Sequence, residues 1–199
     1  HACQTVARVF TFAMFLTPVD KLAAMFNGVR AWCKAQGLQR PADSQFAFMP
    51  LVAVGETEKE ALETIERVFW YVTNNKAESQ HRAPPGYVET SLYADFLSGR
   101  FSGGRTDAIR EKGMEYFREN HVAIYGTPDN VANQLRALHK KVGGFGNLVA
   151  MLHAGDMDFE MTAKSMTLFA EKVVPQLCDL RTVRKGFGPL PASRKKRIA

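Results

Sequence analysis

The feature that most constrains the fold is a repeated pairing of a short apolar run with a helix-start signal. Apolar runs occupy residues 6–15, 46–54 and 148–152, with a shorter extended stretch at 122–125. Runs of this length without polar alternation are typical of strands that are buried on both faces. Because these runs alternate with amphipathic helical segments, the sequence predicts parallel βα units joined by right-handed crossovers.

The predicted helices begin at recognisable capping patterns. Thr17 is expected to cap a helix that has Pro18 at its first position, and Gly37 is expected to end it. A TxxE capping box begins at Thr57 and predicts a helix that extends to about Asn74. Pro50 lies inside the apolar run that precedes this box, which predicts a bulge or kink in that strand.

The second half of the chain repeats the arrangement. Thr127-Pro128 is a further helix start, and the glycine pair at 143–144 ends that helix before the run at 148–152. A final amphipathic helix is predicted over 159–177. Its apolar stripe is expected to comprise Phe159, Thr162, Met166, Phe169, Ala170, Val173 and Leu177.

Two segments fall outside this pattern. Residues at about 75–120 contain proline and glycine clusters and little strand signal, which predicts a long insertion with a helical patch at 107–117. Residues 181–199 hold seven Lys and Arg and no acid, which predicts a flexible basic tail. Since the net charge of the chain is +6, the body at 1–180 is almost neutral, and a basic nucleic-acid-binding surface is not supported.

Composition excludes several other classes. The three cysteines are too few and too scattered for a disulfide framework or a zinc site, so we expect no metal. They favour a reducing, cytoplasmic compartment. No apolar run reaches about 18 residues, so no membrane span is predicted.

An ordered series of short motifs resembles the C-terminal third of the bacterial-luciferase-like flavin monooxygenases. The resemblance covers roughly residues 5–178. Its members are 15–18 (FLTP), 48–61 with its TxxE box, 124–131 (IYGTPDNV), Gln134-Leu135, 143–146 (GGFG), the strand end Met151-Leu152-His153, and 165–177.

The resemblance implies an α/β fold that is part of a TIM (β/α)8 barrel. A complete barrel needs about 250 residues, and this sequence has 199. Residues 1–180 would supply the last three βα units with a long insertion, and the earlier strands would be absent. The chain would then be a fragment, a natural truncation, or a part completed by an N-terminal chain or by self-association into a homo-oligomer.

The function that the resemblance implies is flavin-dependent oxygenation. Members of the family use reduced FMN or the deazaflavin F420, and FMN-dependent members receive reduced flavin from a separate reductase. Oxygen adds to the flavin to give a C4a-peroxyflavin, which oxygenates a small organic substrate. The alternative is a truncated, non-enzymatic relative that acts as an oligomeric binding or scaffolding module.

Two groups of residues are candidates for the site. His153 follows the last strand, on the face where barrels place their chemistry, and could donate a hydrogen bond or shuttle a proton in the pocket. The other reading is a loop histidine beside Asp156. Tyr71, Asn74 and Asn75 end the helix before the insertion and could form the hinge of a lid; the other reading is a polar helix end.

Overall fold

The computed structural model describes residues 11–13, 17–74, 90 and 112–180. In these ranges the strands are β1 (Thr11–Ala13), β2 (Phe46–Phe48), β3 (Leu51–Val54), β4 (Ala123–Gly126) and β5 (Asn147–Leu148). The helices are α1 (Val19–Ala35), α2 (Glu58–Asn74), α3 (Met114–Glu119), α4 (Pro128–Lys141) and α5 (Phe159–Leu168). A π-helical turn, Phe169–Val173, and a 3-10 segment, Val174–Leu180, continue α5.

The segment 46–54 contributes β2 to a three-stranded sheet, β1-β2-β5, and β3 to a two-stranded sheet, β3-β4. Pro50 interrupts the segment between β2 and β3, as predicted, and we describe the two parts together as the sheet. On one edge the segment bonds to β5 and to the residues after β5, up to a bridge between Leu51 and Met151. On its other edge it bonds to β1 at its start and to β4 at its end. Every pairing among the described strands is parallel, which confirms that prediction, and these strands do not close into a barrel.

Helices cover both faces of this sheet. Even-numbered strand residues such as Phe48 and Val52 pack with α1 and α4, and we call this side the α1/α4 face. Odd-numbered residues such as Ala53 and Tyr125 pack with α2 and α3, on the α2/α3 face. The predicted burial on both faces is confirmed for β2, β3 and β4.

The direction of the chain explains why both faces carry helices. From β1 the chain moves inward to the central segment, and from β3 it returns outward to β4 at the same edge. Right-handed crossovers that run in opposite directions place their helices on opposite faces. A complete (β/α)8 barrel instead holds its helices in an outer ring.

The first helix begins one residue later than predicted. Pro18 occupies the N-cap, no side chain caps the helix, and Val19 is the first helical residue. The Val19 N–H donates to the carbonyl of Asn120 at 3.0 Å, so the loop before β4 replaces the expected cap by Thr17. The predicted end is confirmed, because α1 stops at Ala35, just before Gly37.

The capping box at the start of α2 is present in a modified form. Thr57 Oγ1 accepts from the Glu60 N–H at 3.2 Å, as predicted. The Glu60 carboxylate, however, accepts from the Glu56 N–H at 2.8 Å, one residue earlier than a standard box would use. The helix ends at Asn74, where the sequence predicts its end.

The last strand and the last helix differ from the predictions. β5 is short, and Val149, inside the predicted buried run, is 46% exposed. The predicted stripe on the final helix is wrong in its first part, since Phe159 is 84% and Met166 47% exposed. Ser165 faces inward instead: its hydroxyl accepts the Val54 N–H at 3.0 Å, the β3 donor that β5 no longer reaches. The second part of the stripe is confirmed, since Val173 is buried and Phe169 and Leu177 pack against the core.

Several predictions fall outside the described residues. These are the first and last parts of the run at 6–15, the insertion at 75–89 and 91–111, and the tail at 181–199. The described end of the insertion contains α3, which overlaps the predicted patch at 107–117.

Candidate functional site

The carboxyl ends of the parallel strands carry the candidate site. The loop after β3 leads to α2 on the α2/α3 face, whereas the loop after β4 leads to α4 on the α1/α4 face. Adjacent parallel strands whose loops leave to opposite faces create a crevice, and ligands of open α/β sheets bind at such points. The side chains around this crevice therefore decide what it can do.

A carboxylate of the protein itself spans the crevice. Glu58 Oε1 accepts from the Thr127 N–H at 3.1 Å and from Asn130 Nδ2 at 2.9 Å, and Arg118 donates to Oε2 at 3.3 Å. Gly126 permits this approach, since its φ is +148° and an added Cβ would lie 2.9 Å from Glu58 Oε1. Glu58 thus joins the start of α2 to the start of α4.

A second polar group ties α5 to the loop after β3. Lys164 Nζ lies 2.8 Å from Glu56 Oε2 and 2.6 Å from Glu60 Oε1. Hydrogen bonds to Glu56 and Glu60 raise the pKa of Lys164, and the bond from Lys164 is the main reason that the pKa of Glu60 is lowered. All three side chains are partly or largely exposed to solvent, so this group is a surface link between two elements.

His153 lies at this end of the sheet, two residues beyond the bridge at Met151. Its side chain is exposed, and Nδ1 is 2.9 Å from Thr162 Oγ1 in α5. The neighbouring Asp156 pairs with Arg67 of α2 at 2.7 Å. His153 therefore has a defined orientation that does not come from Asp156, and its proposed role in a pocket stays a prediction.

Two of the predicted hinge residues lie at the opposite end of α2 from Glu58. Tyr71 and Asn74 lie in the backbone of the last turn of α2, a helix of 17 residues that begins at the carboxyl end of β3. At about 1.5 Å per residue, this turn is about 24 Å along the helix axis from Glu58. Asn75 lies outside the described residues, and the hinge stays a prediction.

Sequence reasoning missed Glu58, Lys164, Ser165 and Thr162. Glu58 and Lys164 read as ordinary charges of exposed helix turns, and their partners are distant in the chain. Thr162 carried a local signal, because it stands four residues after Asp158, whose side chain caps α5 by accepting from the Met161 N–H.

An apolar cavity of about 310 Å³ lies elsewhere, between α4, β5 and the segments that continue α5. Leu135 and His139 line one wall, and Phe145, Phe169 and Leu177 line the others. Its lining includes none of Glu58, Lys164 and His153. We therefore do not assign the chemistry to it.

Neither a metal-binding cluster nor a membrane-spanning helix is found among the described residues. Among those residues no three His, Cys, Asp or Glu side chains are grouped so that they could hold a metal ion. None of the helices described there combines the length and the apolar character needed to cross a bilayer.

Comparison with solved structures gives matches to oxygenases. Monooxygenase RslO1 from Streptomyces bottropensis superposes with a TM-score of 0.55 at 19% identity, over 87% of this chain and 44% of that one. The oxygenating constituent of 3,6-diketocamphane monooxygenase from Pseudomonas putida superposes at 0.53 and 22% identity, over 82% and 42%. The chain shares the fold of these monooxygenases. The predicted fold class, part of a (β/α)8 barrel, is thereby confirmed.

The chain spans less than half of the length of either structure. The second is a type II Baeyer-Villiger monooxygenase determined in complex with FMN. No protein-family model matches the chain, and no curated protein matches it in sequence. The likeness therefore concerns the fold.

Several polar groups at the carboxyl ends of the strands are not free to bind the phosphate of a flavin mononucleotide. Phosphates bind to free N–H groups at helix starts and to unpaired cationic side chains. Here two of the donors at the helix starts are used internally: Thr127 N by Glu58, and Glu60 N by Thr57. Lys164 is held between two carboxylates. A flavin phosphate must therefore be bound by residues other than these.

Proposed function

We propose that this chain forms the C-terminal βα units of a flavin-dependent monooxygenase of the luciferase-like class, which oxygenates a small organic substrate with O2. The observation that supports the proposal is the likeness in fold to two monooxygenases, one of them in complex with FMN. The ordered motifs that resemble the luciferase-like family span the same part of the chain.

In this proposal the chain contributes one wall of the pocket. The flavin phosphate is held by groups other than the Glu60, Thr127 and Met161 N–H groups, because these already donate to Thr57, Glu58 and Asp158. His153 and its neighbours face the substrate from the last strand. Reduced FMN is the proposed cofactor, with F420 as the alternative, and a separate reductase supplies the flavin in the cytoplasm.

The remaining barrel strands are supplied by a complementing chain or by a second copy of this one. The open sheet supports this part of the proposal. β5 pairs on one side with β2, and its other edge has no strand partner among the described residues. An exposed edge of this kind is a template for pairing with another strand.

A hybrid protein tests the proposal. Residues 11–180 replace the structurally aligned segment of the 3,6-diketocamphane oxygenating constituent, and FMN binding and flavin-dependent O2 uptake are measured. Retained FMN binding with substrate-dependent O2 uptake supports the proposal. A hybrid that has the circular dichroism of a folded α/β protein and binds neither FMN nor F420 contradicts it.

The scaffolding alternative predicts a different result for the chain alone. Cooperative unfolding without flavin affinity in any association state, seen by size-exclusion chromatography and flavin titration, would favour that alternative. An oligomer that gains flavin affinity on association would favour the enzyme.

A further inference from the structure

Thr162 holds the ring of His153 through a single hydroxyl group. Thr162 Oγ1 is 2.9 Å from His153 Nδ1 and 2.7 Å from the carbonyl oxygen of Asp158. No described residue bonds to Nε2, the other ring nitrogen. The two contacts of this hydroxyl therefore determine what the ring presents to its surroundings.

The position of the Thr162 hydroxyl proton decides which ring nitrogen of His153 carries a hydrogen. A carbonyl oxygen can only accept, so the 2.7 Å contact to Asp158 uses the hydroxyl proton of Thr162. The same oxygen then has only lone pairs to offer to His153, so Nδ1 must carry a hydrogen and donate it. In the neutral ring this leaves Nε2 without a hydrogen, as an acceptor.

The turn of α5 that carries Thr162 is held in place by several contacts. The Asp158 side chain caps α5 through the Met161 N–H at 2.8 Å. One turn further on, the buried Ser165 hydroxyl is bound to the backbone of β3, and Lys164 pairs with the loop that follows β3. Thr162 thus lies on a helix turn whose position relative to the strand ends is set by its neighbours.

We propose that Thr162 is a positioning residue that fixes His153 as the Nδ1–H tautomer and leaves Nε2 to accept a hydrogen bond or a proton from a hydroxyl or N–H group of the ligand. The assignment of the tautomer depends on the geometry alone. The role toward a substrate rests on the function proposed above.

Nitrogen-15 NMR of the ring nitrogens tests the tautomer in the full chain without any flavin. Spectra are recorded in mildly alkaline solution, where imidazoles are neutral, and His153→Gln identifies the resonances. We expect a protonated Nδ1 and an unprotonated Nε2 in the wild type and in Thr162→Ser. Thr162→Val removes the acceptor and should give a mixture of tautomers or a majority of Nε2–H.

Thr167→Val is the matched control, because Thr167 is an exposed threonine of the same helix. It should leave the tautomer of His153 unchanged. A wild-type ring protonated at Nε2, or a ring that Thr162→Val does not alter, overturns the inference.

The hybrid enzyme separates this inference from the proposed function. If it oxygenates substrate, Thr162→Val should lower kcat by about 10-fold or more with FMN affinity unchanged, and Thr162→Ser should restore most of the rate. Equal rates for Thr162→Val and the wild type overturn the role in turnover. A hybrid that binds no flavin contradicts the proposed function, whereas the tautomer measured by NMR stands or falls separately.

Discussion

The amino and carboxyl ends of the sheet are held together in different ways. At the amino end the Arg30 side chain is 11% exposed, donates to the carbonyls of Val142 and Gly144, and lies 4.5 Å over the ring of Phe46. Burial is the main reason that the pKa of Arg30 is lowered. The largely buried Arg30 guanidinium thus joins α1, the end of α4 and β2.

At the carboxyl end, apart from the buried Ser165 hydroxyl, the links described above are charged pairs that stay in contact with water. Glu58 and Arg118 are 46% and 39% exposed, and Lys164 with its partners is similarly open. Exposed pairs contribute little stability, because water and salt screen them. The difference indicates that the amino end stabilises the fold, whereas the carboxyl end keeps polar groups that can rearrange around a ligand.

Removing the buried arginine should have the largest effect. Arg30→Met leaves the carbonyls of Val142 and Gly144 without a donor, and we expect a loss of about 2–4 kcal/mol in the free energy of unfolding. Urea denaturation followed by circular dichroism measures it. Arg40→Met is the control: Arg40 is 65% exposed and reaches Gly143 and Asp43 from outside. Similar losses for both variants would contradict the contrast between buried and exposed links.

Removing the buried Ser165 hydroxyl at the carboxyl end should give the second largest loss of stability. Ser165→Ala leaves the Val54 N–H buried without an acceptor, for an expected loss of about 1–3 kcal/mol. The same denaturation experiment measures it. Thr167→Ala, at an exposed position of α5, should change stability by less than about 0.5 kcal/mol. If Ser165→Ala is neutral, α5 is not held to β3 by this bond.

The crevice link should matter less for stability than for local order. Glu58→Ala removes the acceptor of the Thr127 N–H, and we expect a loss of about 0.5–1.5 kcal/mol, since the side chain is partly exposed. Hydrogen exchange should show faster exchange at the Thr127 amide. Glu63→Ala, on the exposed surface of α2, is the comparison. An unchanged exchange rate at Thr127 would show that Glu58 does not bridge the crevice.

The smallest expected effect is a change in how the free energy of unfolding depends on pH. Because Lys164 lowers the pKa of Glu60 in the folded protein, this pair stabilises the fold above the usual carboxyl pKa. The stabilisation is lost as the pH falls through the lowered value. Lys164→Met should therefore flatten the slope of stability against pH in the acid range. Stability curves at several pH values measure the slope, and parallel curves for wild type and variant would refute the coupling.

Short-range signals predict much of the fold. The TxxE motif at Thr57 predicts a helix that the structure confirms, since its capping bond joins residues within one turn. The Thr127-Pro128 pair also predicts the start of α4 correctly: Thr127 is the N-cap residue and Pro128 the first helical residue, although no Thr127 side-chain bond caps the helix. The glycines at 143 and 144 end α4 because both adopt positive φ, +75° and +97°. Parallel pairing follows from the alternation of strands and helices.

Contacts between distant segments are not readable from one sequence. Val54 and Ser165 are 111 residues apart, and Glu58 and Thr127 are 69 apart. The first part of the predicted stripe on the last helix fails for this reason, since the element that receives Ser165 is a strand end and not an apolar layer. The position of His153 could be predicted from the end of an apolar run, but its partner Thr162 could not.

The π-helical turn at Phe169–Val173 determines how the 3-10 segment Val174–Leu180 packs against α4. Each residue rotates a helix by about 100°, so a turn that holds one more residue redirects every side chain after it. Val174 and Leu177 follow this turn and line the cavity beside α4. This terminal segment should therefore tolerate substitutions in the turn better than the deletion of one of its residues. A deletion would rotate the apolar side chains that follow the turn away from α4.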